Sequence, residues 1–167
     1  MSVGSDHTDA VMRVLFVCTG NTCRSPIAEA LFRKMAAEKI RCRESELRER
    51  GIDIFSAGIA APENFPASRE AILLLRDYNL DISNHLSQQL DERMLEKSTC
   101  VLTMTRQHLQ ALRDLRPDLS AKFRLLSRTG GDVSDPIGQG AAVYQECIRQ
   151  INENLHEWVE ELFQKEH

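Results

Sequence analysis

The run Arg13-Val14-Leu15-Phe16-Val17-Cys18 constrains this chain more than any other feature. It is short, rich in β-formers and without polar alternation, so it predicts a strand buried on both faces. Such a strand needs cover above and below, and the rest of the sequence supplies it. Ser25-Pro26 reads as a helix start, with Ser25 as cap and Pro26 at the first helical position. Ile27, Leu31 and Met35 then recur at helical spacing beside Ala28 and Phe32, while Glu29, Arg33, Lys34 and Glu38 take other faces. Further strands are expected over residues 52–55 (closed by Ser56-Ala57-Gly58), 100–104 and 123–126. Helical patterns cover residues 67–78, 91–97 and 106–115, and a long one runs through Tyr144, Ile148, Ile151, Leu155, Trp158 and Leu162. Residues 41–50 read as a solvated helix end or loop, and 62–66 and 129–140 as loops. Strands alternating with helices predict an α/β fold: a parallel sheet with helices on both faces, its ligand sites beyond the carboxyl ends of the strands.

At roughly 150 residues per domain, 167 residues make one domain. Residues 1–12 are expected to be a flexible tail and 13–167 a single domain. The stretch from Met1 to Ala10 is polar and acidic, unlike a secretory leader. No apolar run approaches the ~18–20 residues of a membrane span. With 21 Lys and Arg against 25 Asp and Glu, the net charge is −4, which argues against a nucleic-acid partner. Five cysteines, an odd count without a leader, predict reduced thiols in a cytoplasm. Their spacing suits no metal, and none is expected. Cys42, Cys100 and Cys147 read as ordinary thiols, and His7, His108, His156 and His167 as surface residues.

Five residues separate Cys18 from Arg24, and the same spacing recurs at Cys42/Arg48 and Cys100/Arg106. The second pair lies in a charged stretch without glycine, and the third contains a predicted strand. Only the first sits between a strand and a helix start, with Gly20 in the bend. A loop entering a helix turns successive backbone N–H groups inward and adds the positive end of the helix, an arrangement that binds anions. Arg24 offers a planar fork for two oxygens of a phosphate. Cys18 supplies a nucleophile, and Ser25 can donate to its sulfur. A second candidate, Asp135, precedes Pro136 in the glycine-rich loop. Alone, an Asp-Pro there reads as a turn, and Asp132 is its nearest rival as an acid. Cys18 and Cys23 share one tight loop and are expected to form a reversible disulfide on oxidation.

The segment Val14-Leu15-Phe16-Val17-Cys18-Thr19-Gly20-Asn21-Thr22-Cys23-Arg24-Ser25-Pro26, followed by Ala28-Glu29-Ala30, closely resembles the low-molecular-weight protein tyrosine phosphatase family. Ser56-Ala57-Gly58, His85-Leu86-Ser87, Val101-Leu102-Thr103-Met104-Thr105 and Asp135-Pro136 extend the resemblance over residues 13–165. It implies a four-stranded parallel sheet with flanking helices. It further implies Cys18 as nucleophile, Arg24 as phosphate clamp, Asp135 as general acid and the amides from Thr19 through Gly20, Asn21, Thr22 and Cys23 to Arg24 as phosphate cradle. Asn21 and Ser25 would support the loop, with His85 behind Asn21. No cofactor is implied; the partners would be phosphorylated protein substrates, with no membrane, and the protein a monomer. Thr22, the Gly131-Asp132-Val133 approach and Ile137-Gly138 after the Asp-Pro look like the bacterial protein-arginine phosphatases. Tyrosine phosphatases often carry a larger aliphatic residue at the first position and aromatics at the last. A phosphoarginine phosphatase is therefore expected. The alternatives are a tyrosine phosphatase, an arsenate reductase lacking its further cysteines, and a catalytically silent phosphoprotein-binding module.

Overall fold

A computed structural model describes residues 12–164. Four strands, β1 (Met12–Cys18), β2 (Ile52–Gly58), β3 (Cys100–Thr103) and β4 (Phe123–Leu125), form one sheet in the order β2-β1-β3-β4, all parallel. Five helices accompany them: α1 (Arg24–Ile40), α2 (Arg69–Leu75), α3 (Glu92–Lys97), α4 (Arg106–Leu115) and α5 (Ala141–Leu162). β1 lies inside the sheet, and its side chains alternate between two cores. Val14, Phe16 and Cys18 join Ile27, Leu31 and Phe32 of α1 and Ile148, Ile151 and Leu155 of α5. Leu15 and Val17 join Leu95 of α3, Leu112 of α4 and Phe123 of β4. This division explains why the run has no polar alternation: both faces are covered. Each such side chain contributes roughly 1.5–3 kcal/mol of burial.

The register brings the carboxyl ends of the inner strands together. Cys18 pairs with Gly58, and Val17 with Ala57 and Thr103. β2 runs on through Ser56, Ala57 and Gly58 instead of closing there, because seven residues of β1 offer it partners. The helix start also differs from the sequence reading. Cys23 occupies the cap position without a side-chain cap, α1 begins at Arg24, and Ser25 lies within its first turn. The Ser25 hydroxyl is engaged by Cys18 and Asn21 instead. Of the expected tail, 1–12, only Met12 is described, and it already pairs with Ile52 in β1. His7 and His167 likewise fall outside the described residues. Among those residues, no helix is long and apolar enough to cross a membrane.

Candidate active site

The bend between β1 and α1 is held by Asn21, whose φ of 58° is left-handed, a conformation Asn tolerates better than most residues. Every polar group of Asn21 is used. Its N–H donates to Cys18 Sγ at 3.2 Å. Its Nδ2 donates to Ser25 Oγ and to Ser56 Oγ, both at 2.9 Å, and its Oδ1 accepts from the Gln88 N–H at 2.9 Å. Its carbonyl accepts from His85 Nε2 at 2.7 Å, which fixes that ring as the Nε2–H tautomer. Because Ser25 Oγ already accepts from Asn21, its single hydrogen is left for Cys18 Sγ, 2.9 Å away. Two donors thus converge on the Cys18 sulfur, and donors stabilise the anionic form of an acceptor. The Ser56 hydroxyl passes its hydrogen on to Glu29 at 2.6 Å.

Gly58 permits this packing. A Cβ there would lie 2.4 Å from the Thr19 carbonyl oxygen and 3.0 Å from the Asn21 nitrogen. The backbone N–H groups of Gly20, Thr22 and Cys23 have no protein acceptor among the described residues. Arg24, 5% exposed, directs NH1 to the Val133 carbonyl at 3.0 Å and NH2 toward Asp135 Oδ2 at 3.7 Å, while its buried Nε has no partner. Free amides, a buried guanidinium with an unspent donor and a helix N-terminus together make an anion site beside a sulfur nucleophile.

The loop 126–140 brings both acid candidates to the rim. Asp135 faces Arg24, its side chain about half exposed, and Oδ1 accepts from the Ile137 N–H at 3.1 Å. Asp132 turns the other way and accepts from the first amide of α4, Arg106 N–H, at 2.8 Å. Thr22 is half-buried, and its hydroxyl has only a 4.0 Å contact, to Cys23 Sγ, among the described residues. Cys23 Sγ also meets the buried Tyr144 hydroxyl at 3.3 Å. Burial pushes the Cys100 thiol up to about 11 and Cys147 up to about 12, so both stay protonated and unreactive near neutrality. His108 is not a surface residue. It is 7% exposed, and its Nε2 lies 2.8 Å from Thr19 Oγ1. Burial pushes its imidazole down to about 4, helped by Arg24 and opposed by Asp132 and Asp135. Sequence reasoning also missed Ser56, Glu29 and Gln88 as members of the Asn21 shell.

A cavity of about 530 Å³ lies behind the loop, lined in part by Glu29, Ser56, His85 and Gln88, but neither Cys18 nor Arg24 reaches it. Among the described residues, no cluster of His, Cys, Asp or Glu could hold a metal ion.

A parallel α/β sheet with a cysteine–arginine anion loop at the end of an inner strand defines a cysteine-dependent phosphatase. The family model for low molecular weight phosphotyrosine protein phosphatase matches residues 13–167, and the chain belongs to that family. The protein-arginine-phosphatase of Bacillus subtilis is 33% identical over 155 residues, covering 90% of this chain and 97% of its own length. A solved YwlE arginine phosphatase mutant with a phosphorylated active site serine has a TM-score of 0.80 at 32% identity, covering 92% of this chain and 97% of that one. A low molecular weight protein tyrosine phosphatase from T. tengcongensis has a TM-score of 0.80 at 36% identity, covering 90% of this chain and 99% of that one.

Proposed function

We propose that the protein hydrolyses phosphoarginine in proteins through a cysteinyl-phosphate intermediate. Cys18 thiolate attacks phosphorus in line; the P–S bond forms as the P–N bond breaks, and the Asp135 carboxyl gives its proton to the departing guanidine nitrogen. Asp135, now a carboxylate, takes a proton from the water that attacks phosphorus, the P–S bond breaks, and inorganic phosphate leaves. Arg24 and the amides of Gly20, Thr22 and Cys23 hold the charge spread over the equatorial oxygens. Asn21, Ser25 and His85 keep the loop and the sulfur in place.

The observation that carries phosphoarginine over phosphotyrosine is the Thr22 hydroxyl beside the loop, with only a long contact to sulfur. It can meet a polar guanidinium, and where tyrosine phosphatases often have a stacking aromatic this chain has Ile137, 53% exposed. The arginine phosphatases among its relatives support the same reading. Five unpaired thiols support a cytoplasmic site of action, and membership in the phosphatase family supports phosphorylated proteins as partners. A peroxide that converts Cys18 to a sulfenic acid would let the Cys23 thiol displace water and close a reversible disulfide.

Turnover measured in parallel on phosphoarginine and phosphotyrosine proteins tests the assignment. The native protein is expected to prefer phosphoarginine. Thr22→Ile removes the hydroxyl and adds apolar bulk. Losing one hydrogen bond is worth roughly 1–3 kcal/mol, so the kcat/KM ratio is expected to move toward phosphotyrosine by about 5- to 150-fold. An unchanged ratio, or native preference for phosphotyrosine, favours the tyrosine reading.

A further inference from the structure

The described residues contain two buried side-chain nitrogens without a hydrogen-bond partner, Arg24 Nε and His108 Nδ1. The first belongs to the anion site. The second sits on the first turn of α4, where it has no evident structural reason to be. Polar groups this buried are normally paired, and one that is not calls for an explanation. The other nitrogen of the same ring supplies it, because Nε2 lies 2.8 Å from the hydroxyl of Thr19, the residue after the nucleophile.

The same turn also holds the loop that carries Asp135. The Arg106 N–H donates to Asp132 at 2.8 Å, and the Val133 N–H donates to the Met104 carbonyl at 2.9 Å. The His108 N–H is itself fixed by Thr105 Oγ1 at 3.1 Å. One short segment, residues 104–108, therefore touches the phosphate loop on one side and the acid loop on the other. We propose that His108 is a positioning residue for the reaction: its hydrogen bond to Thr19 locks the phosphate loop to the turn from which the Asp135 loop hangs, and so sets the acid against the sulfur. The ring is neutral at working pH, since burial, and after it Arg24, oppose a second proton. In its Nε2–H form it donates to Thr19 and leaves only an unused lone pair on Nδ1. The other tautomer would bury a donor hydrogen with no acceptor, the costlier orphan.

This inference rests on Asp135 as the acid, and leaving-group dependence separates the two. Phosphoarginine needs its leaving nitrogen protonated, whereas p-nitrophenyl phosphate releases a stable anion with little help from an acid. His108→Leu and Thr19→Val are each expected to lower kcat on a phosphoarginine protein by about 3- to 10-fold, the worth of one net hydrogen bond. For His108→Leu, the pre-steady-state burst of p-nitrophenolate from p-nitrophenyl phosphate, which reports formation of the cysteinyl phosphate alone, and inhibition by inorganic vanadate as a probe of the phosphate loop, should change by less than about twofold. The double variant should be no worse than either single one, since both remove the same link. His108→Gln, which keeps an N–H at comparable reach, should recover most of the loss. Losses of equal size in the phosphoarginine rate and the p-nitrophenolate burst, or weakened vanadate inhibition, would mean a merely structural role and overturn the proposal, as would additive losses in the double variant. Should His108→Leu fail to fold, His108→Asn, whose shorter side chain falls short of Thr19, takes its place under the same criteria. Asp135→Asn is the reference: if it lowers the p-nitrophenolate burst as much as the phosphoarginine rate, the acid assignment fails; if it discriminates and His108→Leu does not, only the positioning role fails.

Discussion

Cys18 and Asp135, the two residues proposed to react directly, are held in opposite ways. Cys18 is 2% exposed and its sulfur is fixed by Asn21 and Ser25, while Asp135 has one 3.7 Å contact to Arg24 and a bond within its own loop. Cys18→Ser is expected to abolish turnover while leaving the fold and vanadate or phosphate binding largely intact, because the amides and Arg24 remain; calorimetric titration with phosphate checks the second half. Normal turnover by that variant would sink the covalent route. Asp135→Asn keeps the loop but removes the proton, so the rate on phosphoarginine should fall by roughly 10²–10⁴. Asp132→Asn, which weakens a bond to the first amide of α4 and removes an exposed ion pair with Arg106, should cost about 1 kcal/mol of stability and far less in rate. If Asp132→Asn is the crippled variant, the acid has been assigned to the wrong residue.

At the scale of elements, the loop between β1 and α1 depends on a glycine from the neighbouring strand. Gly58→Ala would place a methyl group 2.4 Å from the Thr19 carbonyl and 2.9 Å from the Ala61 Cβ. Overpacking of this kind costs about 1–3 kcal/mol, so urea denaturation should show that loss and vanadate inhibition should weaken at least severalfold as the loop shifts. Native-like inhibition by this variant would mean that the loop does not need the close approach. The need was not visible in the sequence, where Ser56-Ala57-Gly58 read as the end of a strand, because the contact joins segments nearly forty residues apart in the chain, Thr19 and Gly58. The strands and long helices were legible because a doubly buried strand and an amphipathic helix each leave a local periodic trace. Cys18, Arg24 and Asp135 were legible through the strand–bend–helix context and the family resemblance. Ser25 misled because Ser before Pro is a good cap, and only the folded loop shows that its hydroxyl has other partners. His108 did leave a signal: it stands four residues before the buried Leu112, on the inner face of α4, where a surface histidine would not be placed.

For the whole molecule, the pH dependence of stability follows from that buried ring. His108 titrates near 4 in the folded protein and near its ordinary 6.5 when unfolded. Between those values the unfolded chain binds the extra proton, so the contribution is complete above about pH 6.5 and is lost as pH falls toward 4. Allowing for water that reaches the Thr19 side, the loss is on the order of 2 kcal/mol. Urea midpoints of the native protein and His108→Gln should converge or cross as pH drops through that window, and parallel curves would contradict the assignment. The two cores meet across β1, and this has a consequence for how the enzyme can vary. The amides of Phe16 and Val17 can exchange with solvent only when the sheet itself comes apart, so the nucleophile shares the fate of the entire fold. The acid loop is anchored at Asp132 and Val133, and beyond Pro136 its residues are exposed. Changes in leaving-group preference can therefore accumulate at the exposed positions 137–140 without threatening the scaffold, whereas Val133, buried in the core and bonded to Met104 and Arg24, has to stay; exchanging 137–140 with a relative is the route by which substrate choice should be transferable while the sulfur chemistry stays the same.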